Sequence, residues 1–261
     1  MAKGTRGGKR ITASIRNAAP TVTPTQVTPP TPQQIAKGDI LPKGGVAYDD
    51  FKNMTDDEKA DVITSALGVG TPLFLDDSGM QKFAYFTGMS EKPNKVSDAQ
   101  LDKMQGTELF RTVNNAYNRS TDIGYTSNDI AKQIMDGDFT MYSDSGGSVH
   151  GKAIYFANSY SGSAAYGNSR QNPVTIRAKI TGGKSISEGQ LSKQYSNALK
   201  NGDKLALACS NADHGSARNL YGLAKGYDVI SDSYGYYMVL NRSCLTISDT
   251  VKSTKGRGSW K

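Results

Sequence analysis

The residues best suited to chemistry lie close together in the middle of the chain. Tyr155 stands in the apolar run Ala153 to Ala157. Ser163 and Tyr166 follow it eight and eleven positions later, within the small-residue stretch Ser161 to Gly167. The run predicts a short buried strand, and the stretch a loop entering a small helical turn. Two tyrosines spaced in this way can present their faces to one flat ring. An electron-poor pyridinium held between aromatic faces gains stacking and cation–π attraction. An amide on that ring needs a hydroxyl or backbone partner once water has left, and Ser163 supplies a hydroxyl. The plainer alternative makes Tyr155 and Phe156 alternating strand residues and Tyr166 a surface aromatic on a Gly/Ser loop. A lone aromatic pair would be read in that way; the full spacing favours the ring site.

Two further segments carry groups such a site needs. Leu109-Phe110-Arg111-Thr112 is an apolar strand that emerges at a cation, and a guanidinium suits a phosphate or the edge of a ribose. The alternative is a strand-end arginine in a surface ion pair with Glu108. The late segment runs Gly226-Tyr227-Asp228-Val229-Ile230 and then Tyr236-Tyr237-Met238-Val239-Leu240-Asn241-Arg242, and no glutamate occurs after Glu188. Asp232, four residues before Tyr236 in an expected turn, is the nearest carboxylate.

The pattern Gly151-Lys152-Ala153-Ile154-Tyr155-Phe156-Ala157, followed by Ser161-Gly162-Ser163-Ala164-Ala165-Tyr166, resembles the nicotinamide-binding segment of the ADP-ribosyltransferase family, of the diphtheria-toxin and poly-ADP-ribose-polymerase type. The late segment resembles the C-terminal strands of ADP-ribosyltransferase-like domains found in bacteriophage head and virion proteins. The resemblance spans about Leu109 to Ile247 and is most specific over residues 151–167.

It implies that NAD is the substrate, with Tyr155 and Tyr166 sandwiching the nicotinamide and Ser163 hydrogen-bonding its carboxamide. Arg111 and Thr112 would hold the rest of the dinucleotide. Arg111 matches the arginine-modifying toxins, whereas the polymerase branch has His followed by Gly, so the chain is a hybrid. The family's catalytic glutamate falls on Tyr236, and Asp232 can replace it if its loop folds back. The implied catalytic residues are therefore Arg111, Tyr155 and Asp232. The NAD-contacting residues are Arg111, Thr112, Tyr155, Ser163 and Tyr166, with no metal. The implied fold is α+β, two small mixed sheets packed around an NAD cleft with helices at the margins. ADP-ribose would pass to a host or virion protein, in the virion or the host cytoplasm. The alternative is a non-catalytic virion structural or binding protein on the same fold.

Composition bounds these readings. The 261 residues allow one large domain or two small ones. No run of eighteen apolar residues occurs and the N-terminus is polar throughout, which predicts no membrane anchor and no signal peptide. The two cysteines, Cys209 and Cys244, sit in apolar, strand-like runs and read as reduced core residues. Two cysteines and two histidines in unrelated contexts do not make a zinc site. The net charge of +7 is uneven. Residues 1–38 hold six Lys/Arg and residues 251–261 hold four, with no acid in either. Of the 31 basic residues, 21 therefore remain against 24 acids, a balance of −3 between Asp39 and Thr250. Basic tails flank a mildly acidic middle. They suit non-specific contact with nucleic acid or with an acidic protein surface; the alternative is an ordinary solvated tail.

Four spans follow. Residues 1–46 are a basic, Thr/Pro-rich arm whose prolines prevent helix and sheet. Residues 47–105 are helical, 106–250 form the core, and 251–261 are the C-terminal tail. Thr55-x-x-Glu58 predicts a capped helix over Asp56 to Leu67 with Gly68 as its stop. Ser78 starts a helix through Phe86, Ser97-x-x-Gln100 caps a short one, and Ser127 or Asn128 caps another to Met135. Leu109 to Val113 predicts a strand, and Val174 to Ile180 a half-buried one. Leu191 to Leu199 reads as an amphipathic helix, Leu205 to Cys209 as a strand, and Ala217 to Ala224 as a helix stopped by Gly226. Short strands are expected at Asp228 to Ile230, Tyr236 to Leu240 and Leu245 to Ile247. His150, Asp213-His214-Gly215 and the Gly/Ser run 143–148 receive no assigned chemistry. Asn241 and Arg242 either close the pocket or pair across a sheet edge.

Overall fold

The computed structural model describes residues 41, 45–68, 79–89, 92–118, 123–137, 153–212 and 217–254. The readings at His150, Gly151, Lys152, 143–148 and 213–215 lie outside them, as do the first 40 residues and the last seven.

Val174, Ile176 and Ala178 alternate along the central strand, β6 (Val174–Ile180), and all three are buried. Its intervening residues are covered too: Thr175 is 1% exposed and the Lys179 ammonium donates to the Met104 carbonyl at 2.7 Å. The expectation of a half-buried strand is corrected for this reason. β2 (Thr107–Val113) pairs antiparallel with β6 along its whole length. The opposite edge of β6 takes β10 (Leu245–Ser248) and β11 (Lys252–Ser253). β1 (Asn94–Val96) runs parallel to β10. On the other side of β2 follow β5 (Ile154–Ala157), β9 (Tyr236–Val239), β8 (Val229–Ser231) and β7 (Ser185–Ser187). A separate ribbon pairs β3 (Ala116–Asn118) with β4 (Ile123–Tyr125).

The architecture is mixed α+β. Eight of its strands join in one path, with β11 branching from β6, rather than in two separate small sheets. That path narrows sharply in the middle, where β2 and β5 share the single register pair Phe110↔Ala157. Beyond this pair the strands separate, leaving a seam between a β6-centred half and a β9-centred half. The sheet also draws β1 and β11 from outside residues 106–250.

The helices begin where short polar side chains can bind free backbone N–H groups. α1 (Tyr48–Asn53) precedes α2 (Asp56–Gly68), where Glu58 accepts from the Thr55 N–H at 2.8 Å. α3 (Gly79–Thr87) contributes Phe83, which meets Phe51 edge-on at 4.9 Å between ring centroids. α4 (Asp98–Lys103) has the Ser97/Gln100 capping box. α5 (Ser127–Asp136) is capped by Thr126 with Asp129, one residue before the expected cap. α6 (Tyr160–Ala164) is capped by Ser159 and α7 (Glu188–Lys200) by Ser187. α9 (Ala217–Ala224) packs on α7, α3 and α8 (Lys204–Ala212).

Residues 205–209 are thus helical, contrary to the strand read from their apolar run. The Asp203 carboxylate accepts from the Ala206 N–H at 2.9 Å, an N-terminal cap that the run alone conceals, and alanine is the strongest helix former. The core runs continuously from these helices to the inner face of the sheet. Cys209 in α8 and Cys244 in a 3-10 turn are both free and buried. Among the described residues no helix is long and apolar enough to cross a membrane.

Candidate functional site

Arg111 sits at the seam. Past Phe110 and Ala157 the backbones of β2 and β5 no longer pair, and the Arg111 Nη1 donates to the Tyr155 carbonyl at 2.7 Å. The guanidinium takes the place of a missing ladder bond. Its Nε is wholly buried with no hydrogen-bond partner. Burial, followed by the nearby Arg242 cation, pushes the Arg111 pKa down to about 10, with Tyr155 acting in the opposite sense. Two buried cations in proximity favour an anion between or beside them. The expected alternative, a pair with Glu108, does not form. Glu108 binds Arg177 instead, accepting from its Nε at 2.6 Å.

β5 and β9 then set the face that carries two of the tyrosines. Paired residues of antiparallel strands point the same way, and Tyr155↔Met238 and Ala157↔Tyr236 are in register. Tyr155 and Tyr236 are therefore diagonal neighbours on one face. α6 packs over β5 and β2 and carries Ser163, with Tyr166 just beyond its end. The Tyr166 ring is 64% exposed. It meets Tyr236 edge-on, with centroids 6.0 Å apart at 82°. Its phenol hydrogen-bonds that of Tyr236. This bond, then burial and then the charges of Tyr236 and Asp232, pushes the Tyr166 pKa up to about 12. The aromatic ring that Tyr166 touches is thus Tyr236, not Tyr155. Asn114 Nδ2 holds the Tyr166 carbonyl at 2.9 Å.

Asp232 lies in the turn between β8 and β9. Its N–H donates to the Tyr236 carbonyl at 2.9 Å. Its Oδ1 accepts from the backbone N–H groups of Tyr234 and Tyr236, both at 2.8 Å. The carboxylate closes the β8–β9 turn and stands beside the start of β9.

The hydroxyls of Thr112 and Ser163 face each other at 2.9 Å. Thr112 also meets Thr175 at 2.8 Å, and Thr175 meets Thr254 at 2.7 Å. All four residues are buried, Ser163 to 3% exposure. This row ties α6 to β2, β6 and the segment after β11.

The six residues singled out from the sequence, Arg111, Thr112, Tyr155, Ser163, Tyr166 and Asp232, therefore stand on adjoining elements linked by direct contacts. Four further residues take part. Arg242 is fully buried and donates to the Ile134 carbonyl at 3.1 Å. Tyr236 occupies the expected carboxylate position and engages Tyr166. Thr175 and Thr254 complete the hydroxyl row; the register of β6 with β2 and β11 was the missing signal.

The late Gly-Tyr-Asp and Asn-Arg motifs serve a different end of β9. Asp228 Oδ2 accepts from the Lys184 N–H at 2.8 Å, and its Oδ1 accepts from Asn241 Nδ2 at 3.2 Å. A hollow of about 560 Å³ opens there, between Tyr48 and the turns at Gly183 and Ser243. None of the six residues lines it. No group of three or more His, Cys, Asp or Glu able to hold a metal occurs among the described residues. Comparison with protein-family models, with curated proteins and with solved structures finds no match for this chain.

Proposed function

We propose that the chain binds NAD across the β2–β5 seam and is an ADP-ribosyltransferase-like protein, transferring ADP-ribose from NAD to a protein. The observation that carries this reading is the adjacency of β2, β5 and β9 with α6 laid over them. It gathers a buried guanidinium, two tyrosines, a serine and a carboxylate from segments far apart in sequence. The partnerless Arg111 Nε and the neighbouring Arg242 supply the positive field that a dinucleotide's phosphates would meet. Tyr155, Tyr166 and Tyr236 would offer aromatic faces to a pyridinium.

The proposed reaction breaks the bond between the nicotinamide ring nitrogen and the ribose C1′. The ring nitrogen keeps the electron pair, and nicotinamide leaves neutral. Positive charge develops at C1′, where a facing carboxylate lowers the barrier as in glycoside hydrolysis. A nucleophile of the acceptor protein bonds to C1′ and gives up its proton. Asp232 is the carboxylate proposed for this role, because its charge reaches Tyr166.

One observation favours a second reading. Tyr236 stands at the expected glutamate position, and the Oδ1 of Asp232 is committed to two backbone N–H groups. A non-catalytic NAD-binding domain on a virion protein accounts for both facts, with basic tails touching nucleic acid or neighbouring subunits. Calorimetric titration with NAD and chromatographic assay of released nicotinamide separate the two. Binding with release that is lost in Asp232→Asn supports the transferase. Saturable binding without release supports the second reading. Absence of binding by the wild type, with Arg111→Met behaving identically, sinks both.

A further inference from the structure

Tyr166 stands just past the end of α6 with its ring largely exposed, so packing does little to fix where that ring points. Its backbone is held instead. The Tyr166 N–H donates to the Ser163 carbonyl at 3.1 Å, and the Tyr166 carbonyl accepts from Asn114 Nδ2 at 2.9 Å. The same Asn114 amide turns its Oδ1 to the Asn168 N–H, which donates to it at 2.7 Å. One side chain thus ties the backbone on both sides of Gly167. A primary amide has a donor and an acceptor side by side, and this pair of contacts needs both; a carboxylate could make only the second. Gly167 lets the loop lie close to β2, since a Cβ there would stand 3.1 Å from the Ala164 carbonyl oxygen and 3.2 Å from Thr112 Cγ2. The far end of the loop is tied by the next residue, Asn115. Its N–H donates to the Gln171 carbonyl at 3.3 Å, and its Oδ1 accepts from the Ser127 N–H at 2.8 Å. Two consecutive asparagines at the exit of β2 therefore pin the chain between α6 and β6.

We propose that Asn114 is a positioning residue for Tyr166: by fixing the backbone at Tyr166 and Asn168 it holds the Tyr166 ring against Tyr236, in place for a flat aromatic ring brought by the ligand. It acts through Tyr166 and touches no ligand. On the NAD reading above, on which the choice of ligand rests, Asn114 serves the nicotinamide end and leaves the ADP-ribose end alone. A ring already in place loses less freedom when the ligand arrives, which is how preorganisation raises affinity. Asn114 lies 52 positions before Tyr166, and the two meet because α6 is laid over β2.

The Tyr166 phenol reports on this hold without any ligand. Its bond to Tyr236, then burial and the charges of Tyr236 and Asp232, push its pKa up to about 12. Asn114→Leu is close to asparagine in shape and makes neither contact. Both contacts are at the surface, so water replaces them and the fold survives. In ¹³C-tyrosine NMR the variant's Tyr166 should titrate nearer the ordinary value of about 10, with the other tyrosines apart from Tyr236 unmoved. Calorimetric titration gives the second reading, with NAD and with ADP-ribose, which lacks the nicotinamide ring. NAD should weaken by about threefold to tenfold, the worth of one aromatic contact, while ADP-ribose stays within about twofold, since it never meets the ring. Gly167→Ala reaches the same segment from the β2 side with Asn114 intact and should move both readings in the same direction. A Tyr166 titration unmoved in both variants overturns the proposal. So does equal weakening of NAD and ADP-ribose, which would make Asn114 a structural tie only. If the wild type binds neither compound, the NAD reading fails, while the titration still decides whether Asn114 positions Tyr166.

Discussion

At the scale of single residues, Arg111 and Tyr166 are held in arrangements that packing alone would not select. A guanidinium whose Nε is buried without a partner, close to a second buried guanidinium, is unfavourable for folding. Replacing such a group by an apolar side chain of similar length is often neutral or stabilising. Arg111→Met should therefore raise the melting temperature or leave it unchanged, while NAD affinity falls at least about tenfold, as loss of a charge-assisted contact predicts. A drop of several degrees with affinity retained would make Arg111 a structural wedge only. Tyr166 yields a pH prediction. Its pKa in the folded protein, about 12, lies above the ordinary tyrosine value near 10, so folding favours the neutral phenol. That contribution is fully present below pH 10 and is lost as pH rises through 12. In a ¹³C-tyrosine NMR titration, Tyr166 should ionise later than an exposed tyrosine, and Tyr236→Phe should bring it back towards 10. Equal titration of Tyr166 in the two proteins would show that the phenol pair does not form in solution.

Among the elements, the turns at the end of β9 away from the tyrosines show how firmly the β8–β9 half of the sheet is built. Gly183 has φ +75°, and a Cβ there would lie 2.8 Å from both Asp228 Oδ2 and the Cys244 Cβ. Gly183→Ala should cost about 2 kcal/mol or more through backbone strain and displacement of the Asp228 carboxylate from the Lys184 N–H. Urea denaturation checks this, and an unchanged midpoint would mean that the turn has room to shift. The same segment shows what the sequence could reveal. The Gly-Tyr-Asp and Asn-Arg pattern was visible as a motif, yet its use lies in contacts between Lys184, Asp228 and Asn241, which only the pairing of β7, β8 and β9 creates. Strands with an apolar run or alternation, such as β2 and β6, and helices opened by Thr55-x-x-Glu58 or Ser97-x-x-Gln100 are legible because their signals are local. Residues 205–209 read as a strand because a short apolar run carries no period, and the Asp203 cap of α8 lies outside that run. The tyrosines and Ser163 were legible from spacing. Their partners were not: Tyr166 meets Tyr236, and Ser163 meets Thr112, across strand pairings that no local pattern encodes.

Across the whole molecule, the β6 half of the sheet is closed by charge as well as by apolar packing, and Asp98 is the hub. It accepts from Ser248 Oγ at 2.7 Å and lies 3.4 Å from the Lys252 ammonium and 3.9 Å from Arg177. These contacts join α4 to β10, β11 and β6. Arg177 in turn binds Asp102 and Glu108, each at 2.5 Å. Partial burial by itself would raise the Asp98 pKa. The Ser248 hydroxyl, then Lys252, then Arg177 outweigh it and hold the carboxyl below its ordinary range. A carboxylate whose folded pKa is depressed contributes stability above its unfolded value, near 3.9, and loses that contribution as pH falls through the folded value. Acid should therefore loosen this half of the molecule, releasing β11 and with it Thr254. Asp98→Asn keeps the shape and removes the charge, so it should lower stability at neutral pH and flatten the loss below pH 4. Hydrogen exchange reads the consequence for the site. In wild type at pH 3, protection at Thr254 and Ser163 should fall together and before that of α8, because the hydroxyl row joins β11's end to α6. Loss at Thr254 with Ser163 still protected would show that the two ends of the sheet are held independently.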